Sequence, residues 1–82
     1  MMEDILEEVE VGAVFVRDRI KPGWFIWKNR KYSVEKVSYA WHDNSGEELI
    51  CYFSVVAGAN LYELSFYTKK LKWMLERIYV EG

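Results

Sequence analysis

The chain predicts a mainly β fold: about six antiparallel strands in a curled sheet or small barrel, with a short N-terminal helix as an option. Three observations point there. Aromatic and branched residues recur at a spacing of two, as in Phe25/Trp27, Tyr32/Val34 and Tyr39/Trp41, which places them on one face of a strand. Turn-forming residues separate the alternating runs. Fourteen aromatics (four Trp, six Tyr, four Phe) among 82 residues supply bulk to close a small core. That length makes one domain, residues 1–82, whose modest core leaves little margin of stability.

Each element follows from its own pattern. Residues 2–8 carry Ile5 and Leu6, with Val9 beyond, on one side of a short helical turn; fraying is the other option. Val9, Val11, Ala13 and Phe15 alternate in a first strand over about 9–17. Lys21-Pro22-Gly23 reads as a turn, with Pro presetting φ and Gly taking a positive φ. A second strand covers Trp24–Lys28. Lys28-Asn29-Arg30-Lys31 makes a tight hairpin, in which Asn29 suits the left-handed region.

A long third strand, about 31–42, changes phase. Tyr32 and Val34 share one parity, whereas Val37, Tyr39 and Trp41 share the other. The switch across Glu35-Lys36 predicts a bulge or sharp bend that restores the inward face. Asp43-Asn44-Ser45-Gly46 is the next turn. Strands over about 47–57 and 61–67 follow, separated by Gly58-Ala59-Asn60. The first of these is apolar on both parities, so both faces are expected to be covered. In 69–79 Trp73 and Leu75 alternate, while Leu71, Met74, Leu75 and Ile78 also match helical spacing. The cluster of Trp, Ile, Tyr and Val favours a strand.

Charge is segregated although the net charge is only −2. Residues 1–16 hold five acids and no base. Residues 17–36 hold seven bases against two acids. This basic segment supplies the candidate partner or nucleic-acid contact: Arg17, Arg19, Lys28, Arg30 and Lys31, with Trp24. Trp24 lies out of phase with Phe25 and Trp27, so its indole is expected to face outward while Trp27 and Trp41 are buried. Aromatics among Arg and Lys hold single-stranded nucleic acid by stacking and phosphate contact. A solvated, charged hairpin that blunts a sheet edge is the plainer alternative. Apolar residues on both parities of several strands point to an outer patch, hence to a homo-oligomer or a protein partner.

No residue pattern reads as catalytic. His42 and Asp43 are strand neighbours near a turn and point to opposite faces. A single His and a single Cys nine positions apart make no zinc site. Dispersed glycines form no phosphate loop. No cofactor or metal is expected, and the protein reads as non-enzymatic. The longest apolar runs, Trp24–Trp27 and Leu49–Phe53, are too short to cross a bilayer. The acidic N-terminus lacks signal-peptide features, and Cys51 reads as a buried thiol, so the expected location is cytoplasmic, away from membranes. The absence of Gln and abundance of Lys, Arg and Glu resemble a thermophile composition.

The run Pro22-x-x-Phe25-x-Trp27, Tyr32-x-Val34-x-x-Val37, then Trp41, Phe53-x-Val55, Tyr62-Glu63-Leu64 and Trp73-x-Leu75-x-Arg77, resembles a small family of uncharacterised bacterial domains. That family carries a P-x-x-F-x-W-x-G-R-x-Y-x-V hairpin, and Asn29 stands here at its Gly. The resemblance covers about residues 22–79. Some members are encoded near a Y-family DNA-repair polymerase, which implies an accessory role in DNA damage tolerance and assigns no activity to any residue.

Overall fold

The computed structural model describes residues 1–80, all of them in strands or their connections. Seven strands form one antiparallel sheet: β1 (Met2–Val16), β2 (Arg19–Trp27), β3 (Arg30–Ser33), β4 (Lys36–Ser45), β5 (Glu48–Ala57), β6 (Asn60–Tyr67) and β7 (Lys72–Tyr79). Their order is β3-β2-β1-β7-β6-β5-β4. The sheet is a meander brought round by the β1–β7 pairing into a strongly curled half-barrel. The expected fold class holds, with seven strands in place of six and no helix among the described residues.

Residues 2–8 are strand, not helix, because β7 supplies their ladder, from Met2 opposite Tyr79 to Val9 opposite Trp73. Apolar spacing over one short turn cannot outweigh such pairing. A bulge between Asp4 and Glu7, with Leu6 at φ 54°, bends the strand. From Glu10 onward β1 pairs with β2 instead. One long strand thus serves both walls of the half-barrel.

The first turn is at Arg17-Asp18, not at Lys21-Pro22-Gly23. Pro22 pairs with Ala13 and Trp24 with Gly12, so Gly23 is an extra residue inside β2, and it does not take the left-handed conformation. A bulge accommodates the missing proline N–H without ending the strand. The Lys28-Asn29 turn is as expected: φ is 53° and 61°, the geometry of a type I′ hairpin.

The expected third strand is two strands. The chain bends at Val34-Glu35, beside the predicted switch, and passes from one edge of the sheet to the other. The Val34 N–H donates to the Gly23 carbonyl at 2.9 Å, and the next N–H, of Glu35, donates to the Val56 carbonyl at 2.8 Å. Ser38 is then an extra residue opposite β5, since Val37 pairs with Val55 and Tyr39 with Ser54. This bulge turns Tyr39 and Trp41 to the outer face, against expectation, and leaves Val37, Ala40 and His42 inward. The segment 69–79 is strand from Lys72. Its spacing of three between Leu75 and Ile78 reflects a bulge that leaves Glu76 and Arg77 together on the outer face.

The core fills the concave side. Phe25, Val55, Leu64 and Leu75 are fully buried. Phe25 stacks on Tyr32 (centroids 5.0 Å apart) and meets Tyr62 edge-on at 5.1 Å, an arrangement that adds to area burial. Trp27 is only half-buried, and its indole N–H donates to Glu7 Oε1 at 3.1 Å. Both faces of β5 are covered as expected, with Ile50 buried and Tyr52 half-buried.

Candidate functional site

The half-barrel stays open along one seam. β3 pairs with β2 over residues 24–27 and Val34 reaches the Gly23 carbonyl, so residues 19–22 of β2 have no ladder neighbour on that side. Across the gap, β4 is the opposite edge of the sheet. Between these edges lies a cleft of about 730 Å³, within the range of small-molecule and peptide sites. Phe53 and Cys51 of β5 and Ala40 of β4 line it, Ile20 and Pro22 add apolar wall, and Arg19 and Lys21 bring positive charge against Asp18 and Glu35.

The sequence-selected basic residues divide at this point. Arg17 lies in the β1–β2 turn and Arg19 lines the cleft. Lys28, Arg30 and Lys31 belong to the β2–β3 turn at the other end of β2, about 26 Å away at about 3.3 Å per residue. The two turns therefore do not place these charges in one patch. Around the second turn each cation is over a ring of its own hairpin. Lys28 Nζ is 4.8 Å from the Trp27 ring centre, Arg30 Cζ is 5.9 Å from that of Tyr32, and Lys31 Nζ is 5.1 Å from that of Trp24. Such contacts stabilise exposed cations modestly. Trp24 lies on the face opposite Phe25, as expected from its phase, but is half-buried over Gly12.

His42 is exposed in β4 rather than in a turn, and it stands opposite Cys51 at the cleft. Burial pushes the Cys51 thiol above its ordinary value, which opposes formation of the thiolate nucleophile a Cys–His pair requires. Among the described residues no three metal-ligating side chains converge.

Two groups on the outer face escape sequence reading. Trp41 stacks on Tyr52 at 5.2 Å and leans on Tyr39 at 5.4 Å, and Tyr39 is 66% exposed. Beside them Ser65 and Tyr67 donate hydroxyl hydrogen bonds to Glu76, and Arg77 joins Glu63 to Asp4. Glu63 and Glu76 are buried. Burial, and then the neighbouring Glu76 carboxylate, raise the Tyr67 phenol above its usual range. The Leu75–Ile78 spacing was the available signal for the paired polar residues.

The geometry defines a curled antiparallel sheet with an unfilled seam and an exposed aromatic edge. Comparison with protein-family models, curated proteins and solved structures finds no match to this chain. Among the described residues no helix is long and apolar enough to cross a membrane.

Proposed function

We propose that this chain is a non-enzymatic binding or adaptor domain whose partner adds a β-strand along the open seam. The observation that carries this reading is the pair of unpartnered edges, β4 and residues 19–22 of β2, on either side of an apolar-walled cleft. Strand addition draws affinity from main-chain hydrogen bonds and specificity from pockets that receive alternate side chains. The raised thiol of Cys51 weighs against nucleophilic chemistry there. We place the protein in the cytoplasm, where a free thiol stays reduced. The resemblance seen in the sequence implies an accessory role in DNA damage tolerance.

Peptide-display selection on the immobilised domain, with counter-selection on an Ala40→Pro variant, tests this reading. Enriched extended peptides should bind the parent and lose affinity for the variant. Peptides that bind both equally would sink the seam as the site.

A second reading, contact with single-stranded nucleic acid, draws on the alternation of Trp24, Trp27 and Tyr32 with Lys28, Arg30 and Lys31 in one hairpin. A strand would have to run the length of β2 to reach Arg19 and Arg17 as well. The expected result is a fluorescence-anisotropy rise with labelled oligo-dT that weakens with salt. A flat titration at low salt removes it.

A further inference from the structure

We infer that the strand added at this seam is β4 of a second copy of the chain, paired antiparallel about a two-fold axis at Ala40. This rests on the reading of the seam as a strand-addition site and names its occupant. Natural edge strands are kept short, charged, proline-bearing or covered, because an open edge templates pairing. β4 is ten residues long and lacks proline. Its stretch Val37–Trp41 is uncharged, with Val37 and Tyr39 exposed. The other edge strand, β3, has only four residues, two of them Arg30 and Lys31.

Backbone direction selects the axis. In an antiparallel ladder, alternate residues exchange hydrogen bonds with the neighbouring strand and the intervening ones face away. The two-residue turn Gly46-Glu47 is closed by the Ser45–Glu48 pair. Counting back in twos, Ser45, Asp43 and Trp41 bond to β5, whereas His42 and Ala40 present N–H and C=O to the open edge; the Asn44 N–H on that side donates to Asp43 Oδ1 at 2.8 Å. Two copies of Ala40 can therefore exchange both bonds across the axis, and an isologous contact repeats every interaction twice.

Side chains agree with that register. Tyr39 comes opposite Trp41 of the second copy on the outer face, and the symmetric pair repeats it. Lys36 at the start of β4 and Asp43 two residues before its end also face outward, since they pair with Val56 and Ile50 on the side away from Phe53 and Val55. The extra residue Ser38 offsets the count by one and brings Lys36 level with Asp43 of the second copy. Neither residue has an ion-pair partner within the chain among the described residues. The edge is thus self-complementary in hydrogen bonds, aromatic contact and charge.

Light scattering and sedimentation equilibrium test this. The parent should show a species of twice the 9.8 kDa chain mass. Ala40→Pro removes an N–H that β5 does not use and should yield a monomer. Lys36→Asp and Asp43→Lys should each weaken dimerisation roughly tenfold or more, and the two together should restore it. Restoration is the discriminating result, because damage to the fold would not be repaired by a second charge reversal. A parent that is monomeric at millimolar concentration, or a dimer indifferent to both reversals, overturns the inference. If that monomer still takes display-selected peptides in an Ala40→Pro-sensitive way, the seam reading survives and only the second copy falls. A dimer in which the Ala40 and His42 amides exchange as freely as in a monomer overturns the second copy at this edge, and the absence of Ala40→Pro-sensitive peptide binding as well overturns the seam.

Discussion

The indole of Trp24 occupies the space that a side chain at residue 12 would need. A Cβ built on Gly12 would sit 2.1 Å from Trp24 Cε2. Gly12 pairs directly with Trp24 and flanks the bulge that Pro22-Gly23 makes in β2. The glycine therefore lets the ring settle on the sheet rather than stand off it.

Gly12→Ala should force the indole outward and cost about 1–3 kcal/mol, the range for overpacking a closely fitted site. Urea denaturation checks the size, and a red shift in tryptophan emission checks the cause. Trp24→Ala in the same chain should remove most of the alanine's penalty. An additive double variant would show that the contact is not what makes residue 12 intolerant.

Arg77 should be more important than an ordinary surface ion pair. It donates to both Asp4 and Glu63, and the Glu63 side chain is only 8% exposed. Arg77→Met keeps the packed stem but leaves that carboxylate unpaired, and should cost about 2–3 kcal/mol, somewhat less than for a fully buried pair. Glu63→Gln added to Arg77→Met should recover most of the loss in thermal melts.

Acid should loosen the β6–β7 connection through Glu48. The Lys70 backbone N–H, then the Lys70 ammonium and the Lys69 N–H, hold the Glu48 carboxyl below its usual value despite some opposing burial. A depressed carboxyl stabilises the fold above the ordinary carboxylate range, and that contribution is lost as pH falls through the folded value. Glu48→Gln should lower stability at neutral pH and flatten its fall on the acid side. Denaturant midpoints for both proteins at neutral and acid pH measure this, and parallel curves would contradict it.

Base should act on Tyr67 and Tyr52. Burial raises both phenols first; Glu76 follows for Tyr67, and Tyr67 and Glu76 follow for Tyr52. Because the folded form resists ionisation, the stabilisation is present below the ordinary tyrosine value of about 10 and is lost as pH rises through the folded value. Ultraviolet titration should show a late-ionising class, which Glu76→Gln moves earlier. An unchanged titration would remove the carboxylate from this role.

Several strands were readable because their evidence is local. In β5 and β6 the alternation Phe53, Val55 and Tyr62, Leu64, Phe66 names the buried face, and Lys28-Asn29 names a two-residue turn. The phase change near Glu35 located the bend for the same reason. The candidate site was less readable. Arg19 does line the cleft, but Lys28, Arg30 and Lys31 belong to the far turn, and the sequence does not show the cleft itself.

Local patterning is enough to make the chain antiparallel β, to locate most strands, and to deny β3 and β4 one unbroken phase. Which strands meet is set by the folded chain: β1 divides itself between β7 and β2, the bulge at Ser38 turns Tyr39 and Trp41 outward, and a seam remains between β2 and β4. Side-chain alternation is a period-two property of a few neighbouring residues. Ladder partners and bulges depend on residues dozens of positions away, and one extra residue reverses every face beyond it.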